Sequence, residues 1–357
     1  MVYTNQQSHD QMIALLQADF GTRLFRANGA TYPAIYLDTG PAQIHVDSLL
    51  HAYAPTTITT PANYVFYDAQ HLETRLASRT MRNDRTYTVA RIEKTNHHIQ
   101  IVGSTAPYFD MVATCDALDH ELRDYASGER ATMPLREQLF AEVPPEEALL
   151  SGAGRAAAIG ISVLTVFAME KRGYHALLVQ RSNNLAVGAG LYHIMPAFVF
   201  QPFGPPWWNE TLWSIEHQIL REFGEELFGM PEFHDWPDSV SPDYFKSYAP
   251  VAGLIAMLAD GRASLTLTGI ALNLLSMRPE VCTLLVIHDP SWYKAHKEQL
   301  RAEQHTERQA THYIPIETLD GLPDAIHRRM VPHGGVCFWS GLKKFRQQSA
   351  SITAEED

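Results

Sequence analysis

The hydrophobic pattern is clearest where two apolar runs, "SVLTVFAME" and "YHALLVQRS", flank the short basic turn "KRG". Both runs are rich in β-branched and aliphatic residues, and Gly173 suits a tight turn between them, which predicts a β-hairpin. The apolar stretch at residues 156–169 is shorter than the roughly 20 residues that a membrane-spanning helix needs. We therefore expect a buried strand here and no membrane partner.

Further elements follow from the same criteria. Helical spacing predicts helices at residues 11–20, 116–125 and 290–304. Strand-like apolar runs account for most of the other elements. The predicted strands are "AIYLDT", "TITT", "NYVFYDA", "TYTVARIE", "HHIQIVG", "LYHIMPAFVFQPF", "YAPVAGLIAML", "ASLTLTGIALNLL" and "EVCTLLVIHD".

The domain organisation is suggested by residues 128–154, which combine prolines, glycines and charges without a clean period. Such a composition is typical of a linker. We therefore predict a smaller α+β accessory domain at residues 1–150 and a second domain at residues 151–357 with a polar C-terminal tail. In the second domain, a hairpin, a strand, a loop, a helix and further strands predict an α/β/α sandwich with a mixed sheet.

The net charge of the chain argues against one class of binding partner. The chain carries 28 Lys and Arg against 40 Asp and Glu, a formal net charge of -12, which argues against a nucleic acid polymer as partner. The three cysteines are widely spaced and form no CxxC, so they predict neither a disulfide framework nor a zinc knuckle. With no signal-peptide pattern at the N-terminus, we expect a cytoplasmic protein in a reducing environment.

The segment "REFGEELFG", residues 221–229, carries the chemistry of interest. On a helix, Glu222, Glu225 and Glu226 converge on one face. An apolar stripe at spacings of four adjoins that face and would pack on the sheet. The stripe consists of Ile215, Ile219, Phe223 and Leu227.

Two interpretations of the acidic face stay open at this point. It is a solvated helix face on which Arg221 pairs with Glu225 at i+4, or it is a site for a divalent cation. A bound Mg²⁺ would relieve the repulsion among three carboxylates, because this ion is usually held by one or two carboxylates together with substrate phosphates.

The pattern Arg-Glu-apolar-x-Glu-Glu at residues 221–226 resembles the core of the Nudix box, Gly-x5-Glu-x7-Arg-Glu-U-x-Glu-Glu-x-Gly-U, in which U is apolar. A strand containing Pro196 precedes it, where Nudix proteins usually have a proline-containing strand. In element order the resemblance covers roughly residues 155–345.

The first half of the box departs from the family pattern. The family spacing places Trp213 where the first Glu belongs and Trp207 where the first Gly belongs. Gly204 and Glu210 have the Gly-x5-Glu spacing, but ten residues rather than seven separate Glu210 from Arg221. Either a three-residue insertion keeps Glu210 usable or that half of the box is lost.

The resemblance implies hydrolysis of a phosphoanhydride in a nucleoside diphosphate-linked small molecule, with Mg²⁺ or Mn²⁺ as cofactor. It implies that Glu225 and Glu226 are metal ligands and that Glu222 is a further ligand or the base that accepts a proton from water. Arg221 would orient the glutamates, and Glu210 would be an additional ligand.

Loops outside the box select the substrate in this family, and two are candidates here. In "PPWWNETLW", Trp207, Trp208 and Trp213 would stack on a base or sugar or, alternatively, pack the loop onto the helix. The second candidate loop is "MVPHGGVCFWSG", residues 330–341, and Pro196 is a further substrate-binding candidate.

A rival hypothesis for function is a catalytically inactive Nudix-like protein that binds a nucleotide or metabolite as a sensor. The two tryptophans in box positions favour this rival, whereas the intact glutamates favour the enzyme. The expected partner is a small nucleotide or nucleoside diphosphate derivative in either case, with a homodimer left open.

Overall fold

The structure is a computed structural model, and it describes residues 6–40, 42–58, 63–77, 81–95, 98–181, 190–205, 208–231, 240–302, 308–321, 326 and 329–355. Parts of two predicted strands, residues 59–60 and residue 97, and the last two residues of the predicted helix at 290–304 lie outside this range. The helices of the described residues are α1 Gln6–Phe20, α2 Ala69–Ala77, α3 Tyr108–Met111, α4 Ala117–Ser127, α5 Pro134–Glu142, α6 Pro145–Leu150, α7 Asn209–Leu212, α8 Ile215–Phe228, α9 Ala249–Ala259, α10 Pro290–Ala302 and α11 Pro332–Glu355.

The strands confirm most of the apolar runs, including the hairpin formed by β7 and β8. They are β1 Arg26–Ala27, β2 Ala30–Thr31, β3 Ala34–Asp38, β4 Leu50–Ile58, β5 Arg85–Lys94, β6 Ile99–Pro107, β7 Gly160–Met169, β8 Gly173–Arg181, β9 Tyr192–His193, β10 Ala197–Val199, β11 Ala263–Asn273, β12 Arg278–Ile287 and β13 Arg308–Pro315. The run predicted as one strand at residues 191–203 forms two short strands, β9 and β10, and the cis peptide bond between Met195 and Pro196 lies between them.

A large mixed sheet forms the centre of the fold. Among the described residues it has eight strands, in the order β13-β8-β7-β12-β11-β3, with β9 pairing with β8 and β10 pairing with β7. Strands β7 and β12 are parallel, and the other pairs are antiparallel. The chain is therefore a mixed α/β protein with several helices around one large sheet.

Alternating residues of the central strands face two separate cores. On β12, Val281 and Leu285 belong to the core that includes Ile219 and Phe223 of α8. Leu284 and Val286 belong to the opposite core, which α11 covers with residues such as Phe338. Helices thus lie on both faces of the sheet, with the acidic helix α8 on one and α11 on the other.

The N-terminal region contains a three-stranded sheet in the order β4-β6-β5. Strand β3, however, pairs with β11 and so adds an edge to the large sheet. Residues 128–154, which we interpreted as a linker, hold helices α5 and α6, in which Leu139 and Leu149 are buried. The boundary near residue 150 stays a prediction.

Two predicted strands are wrong. The run at residues 248–258 forms helix α9, in which Val251, Leu254 and Met257 are buried at helical spacing. Because this run is apolar throughout, it has no period that distinguishes a helix from a strand, and Pro250 in its first turn is a helix-start signal. The run at residues 63–69 forms no strand, and Tyr64 makes only an isolated bridge.

The prediction that the cysteines form no disulfide framework is wrong for one pair. Cys282 on β12 and Cys337 on α11 are bonded to each other and join the sheet to the helix that covers it. They are 55 residues apart in sequence, and no local spacing indicates the pairing. Cys115 is a buried free cysteine.

Helix α8 begins and ends at well-formed caps. Ser214 is the N-cap, and its Oγ accepts a hydrogen bond from the backbone N–H of His217 at 3.1 Å. Asp47, from the short helical turn Val46–Leu49, accepts from the N–H of Ile215 at 2.6 Å. Gly229 ends the helix with φ of 63°, which a residue without Cβ adopts without strain.

None of the described helices is long and apolar enough to span a membrane.

We expect Asp47→Ala to lower the free energy of unfolding by about 2 kcal/mol, because it removes the acceptor for the first N–H groups of α8. Asp47→Asn keeps an acceptor oxygen and should cost less, and the exposed Glu129→Ala should cost almost nothing. Urea unfolding monitored by circular dichroism measures all three. Equal stability of Asp47→Ala and wild type would contradict the capping role.

Candidate functional site

Arg221 lies between two of the predicted site glutamates on α8. Its guanidinium donates through Nη2 to Glu222 and through Nη1 to Glu225, and both contacts are short ion pairs. All three side chains are buried. Glu222 and Glu225 therefore do not lie on a solvated helix surface, although the pairing of Arg221 with Glu225 that this alternative assumed is present.

Other side chains fix the same group in place. Gln218 Oε1 accepts from Arg221 Nε at 3.3 Å, and the Phe203 ring centroid lies 4.9 Å from the guanidinium carbon. Burial opposes the charged form of Arg221, but Glu222 and Glu225 more than offset this and raise its pKa. The guanidinium is thus held charged against two carboxylates in the protein interior.

Tyr244 completes the contacts of Glu225. Its hydroxyl donates to Glu225 Oε1 at 3.0 Å, while Arg221 donates to the other oxygen, Oε2. Burial, and then the negative charge of Glu225, raises the pKa of Tyr244. Both oxygens of Glu225 are therefore oriented by hydrogen-bond donors.

Glu226 occupies a different position from the other two glutamates. Its side chain is less buried, and its carboxylate oxygens accept from the backbone N–H of Ala197 at 3.2 and 3.3 Å. Ala197 begins β10 and directly follows Pro196, whose backbone oxygen accepts from Val163. The start of β10, directly after Pro196, and the end of the acidic motif are thus in contact.

A metal site formed by all three glutamates is not assembled. Among the described residues, the group of His, Cys, Asp or Glu side chains with ligand atoms all within 4.8 Å of one another is His45, Asp47 and Glu216. His45 Nε2 contacts Glu216 at 2.9 Å, and Asp47 caps α8, so structural contacts already account for this group. Glu216 belongs to the first turn of α8, and the motif glutamates Glu222, Glu225 and Glu226 lie outside the group.

Two of the predicted aromatic site residues, Trp213 and Trp208, pack within the protein. Trp213 stacks on Phe200 with ring centroids 5.2 Å apart and contacts Tyr87 at 4.9 Å. A Cβ on Gly103 would lie 2.2 Å from the Trp213 ring, so the lack of a side chain at Gly103 makes room for it.

Trp208 is also buried and lies against Phe203 and Gly204. Trp207 lies outside the described residues. For Glu210 the structure describes only the backbone, on α7.

A cavity of about 580 Å³ lies where β7 and β12 begin, and the glutamates of α8 are not among its lining residues. Ala197 lines it and connects it to Glu226 through the backbone contact described above. The polar residues that matter most in its wall are Arg75, His193, Asn273, Arg278, Glu280 and His333.

Glu280 is the acidic group of this wall. Ser162 donates a short hydrogen bond to its Oε1, and His333 Nε2 lies 4.0 Å from its Oε2. A Cβ on Gly160 would overlap the carboxylate. Burial raises the pKa of Glu280 to about 7, although the Ser162 hydrogen bond and the charge of Arg278 oppose this.

Two histidines from distant parts of the chain meet beside Glu280. Nε2 of His193 lies 3.4 Å from Nε2 of His333, and Asn273 Nδ2 lies 3.3 Å from His333 Nδ1. Burial, and then the charge of Arg278, lowers the pKa of His333 to about 3. Burial also lowers the pKa of His193. Both rings are therefore neutral at pH 7.

The sequence contained signals for part of this wall. His333 lies in the candidate loop at residues 330–341, and Glu280 is an acidic residue at the start of an apolar strand. His193 and Asn273 follow no pattern that separates them from structural residues of a strand.

No protein-family model matches the chain, and no curated protein sequence matches it. A solved structure with some similarity is that of a Nudix hydrolase from M. Smegmatis, RenU. Its TM-score is 0.27 and its sequence identity 9%, over 55% of this chain and 88% of that chain. This likeness is too distant to carry an argument about fold or reaction. The Nudix interpretation of the motif stays a prediction.

Glu280 predicts a specific pH dependence of stability. Its pKa is raised from 4.5 to about 7 in the folded protein, so its favourable contribution is complete below pH 4.5 and is lost as pH rises through 7. Relative to Glu280→Gln, the wild type should lose roughly 3 kcal/mol of unfolding free energy over this window.

Urea unfolding of both proteins from pH 4.5 to pH 8 measures this difference. Glu137→Gln, an exposed substitution on α5, should follow the wild type at every pH. A constant difference between wild type and Glu280→Gln would contradict the raised pKa.

Proposed function

We propose that this protein hydrolyses a phosphoanhydride bond in a nucleoside diphosphate-linked small molecule, with a divalent ion held at α8. The observation that carries the proposal is the fixed placement of the three motif glutamates. Arg221 holds Glu222 and Glu225, while Glu226 lies on the backbone of Ala197 at the cavity wall.

The donor chemistry fits Mg²⁺ or Mn²⁺, which prefer carboxylate oxygens. Glu225 and Glu226 would hold the ion, and two protein carboxylates are enough when substrate phosphate and water supply the other ligands. This agrees with the absence of a three-carboxylate cluster on α8 among the described residues. When bound, the ion would supply charge neutralisation at the leaving phosphate.

The chain's own residues would act by orientation and proton transfer. Arg221 and Tyr244 donate to opposite oxygens of Glu225, which fixes the carboxylate before any ligand arrives. Such preorganisation removes the cost of ordering the group during the reaction. Glu222, held by the same Arg221, would be a further ligand or the base that accepts a proton from water.

A second candidate function is ligand binding without turnover. The observation that favours it is Trp213, which stands at the family's first Glu position and packs against Phe200 and Tyr87. A carboxylate is therefore missing where the family has one. In this case the cavity would bind a nucleotide or metabolite for a regulatory purpose.

Hydrolysis of a substrate panel separates the two candidates. The panel contains nucleoside triphosphates, dinucleotides, NDP-sugars and ADP-ribose, incubated with Mg²⁺ or Mn²⁺ and analysed by mass spectrometry. We expect cleavage at a phosphoanhydride that EDTA abolishes. Glu225→Gln should reduce the rate by about 100-fold or more, since even outer-shell substitutions at metal sites typically cost 10–100-fold.

Glu137→Gln on α5 is the matched control and should retain full activity. Cleavage that persists in Glu225→Gln would exclude the proposed role of α8. Absence of turnover, with a panel member still raising the melting temperature, would favour the binding protein.

A further inference from the structure

The cavity at the start of β7 and β12 has the dimensions of a small-molecule site. Its volume of about 580 Å³ falls within the roughly 300–1,000 Å³ that ligand pockets occupy. Residues from both halves of the chain line it, including Tyr108 before residue 150 and Phe198 and Arg278 after it. A ligand here would contact the N-terminal region and the large sheet together.

Besides Arg75 and Arg181, the cavity wall contains the cation Arg278. Its Nε donates to the backbone oxygen of Ala158 at 2.9 Å, and Nη1 contacts the thioether of Met111 at 3.5 Å, a weak acceptor. No carboxylate of the described residues lies within ion-pair distance of it. A guanidinium has five N–H donors, so Arg278 retains donors for an anion.

The carboxylates of the wall are largely compensated within the protein. Asp116 pairs with Arg75 at 2.9 Å, and Asp119 forms a short ion pair with Arg123. Glu280, with its pKa raised to about 7, is partly protonated at neutral pH. The charge of Arg278 therefore gives this part of the cavity a positive character.

Neutral donors and a helix end lie close to Arg278. His333 and Asn273 line the cavity, and His333 lies in the first turn of α11, a helix of 24 residues. The N-terminus of a helix carries partial positive charge, which favours an anion near His333. On the remaining wall, Tyr108, Phe198 and Val199 offer apolar surface.

We propose that this cavity binds the phosphate group of a small phosphorylated ligand without a metal ion, with Arg278 as its charge partner and His333 and Asn273 as neutral partners. The apolar surface of Tyr108 and Phe198 accommodates the organic part of the ligand. The binding does not depend on hydrolysis, whereas the identification of this ligand as the substrate rests on the proposed function.

Calorimetric titration with ADP and with inorganic pyrophosphate, both in EDTA, tests the site. We expect ADP to bind the wild type and Arg278→Gln to weaken that binding about tenfold or more, through loss of a charge-assisted contact. Arg172→Gln is the matched control, because Arg172 is exposed in the turn at the opposite end of β7. It should bind ADP as the wild type does.

Val199→Glu is a second variant that leaves Arg278 in place and adds a negative charge to the cavity wall. It should also weaken ADP binding about tenfold. The proposal therefore remains testable with this variant if Arg278→Gln fails to fold. Melting curves of each variant establish that it is folded. Tighter binding of ADP than of pyrophosphate supports the role of the apolar wall. Equal binding of the two probes supports recognition of the phosphate group and contradicts a role of the apolar wall.

The proposal would be overturned if neither ADP nor pyrophosphate bound the wild type with a Kd below about 1 mM, or if folded Arg278→Gln bound ADP as tightly as the wild type does. This failure is distinguishable from failure of the proposed function. If ADP binds in EDTA in a way that requires Arg278 but no hydrolysis is found, the phosphate site is supported and the proposed reaction is contradicted. If hydrolysis requires Glu225 but not Arg278, the proposed reaction is supported and the phosphate site at Arg278 is contradicted.

Discussion

The buried ion pairs of Arg221 with Glu222 and Glu225 are the constraint on which the site depends. Charged side chains enter a protein interior only when they are paired, because each unpaired ion costs several kcal/mol. The three side chains lie on the helix whose other residues, such as Ile219 and Phe223, pack in the core. The position of α8 therefore fixes both the core and the orientation of the carboxylates.

The large sheet then brings the remaining groups together. Strand β10 joins Glu226 to the cavity through Ala197, and β12 places Arg278 and Glu280 in the wall of the same cavity. Helix α11 adds His333 from the other face of the sheet. The acidic helix and the cavity are therefore both in contact with one short strand, β10.

The sequence predicted the parts of this arrangement that depend on neighbouring residues. The β7–β8 hairpin, α10 and the helical acidic motif follow from local period and turn chemistry. Contacts between residues far apart in sequence leave no periodic pattern and could not be predicted. Asp47 and Ile215 are 168 residues apart, and His193 and His333 are 140 residues apart. Burial of the acidic face also escaped prediction, because it depends on Tyr244 and Phe203, which are outside the motif. Helix α9 was not predicted as a helix because its run of residues is uniformly apolar and shows no helical period.

The proposed function requires Glu225 and Glu226 to hold a divalent ion next to the cavity. Anomalous diffraction from a crystal grown with Mn²⁺ and ADP measures this directly. We expect a Mn²⁺ peak about 2 to 2.5 Å from carboxylate oxygens of these two residues and from an ADP phosphate oxygen. A peak only at His45, Asp47 and Glu216, or no peak on the protein with ADP bound in the cavity, would contradict it.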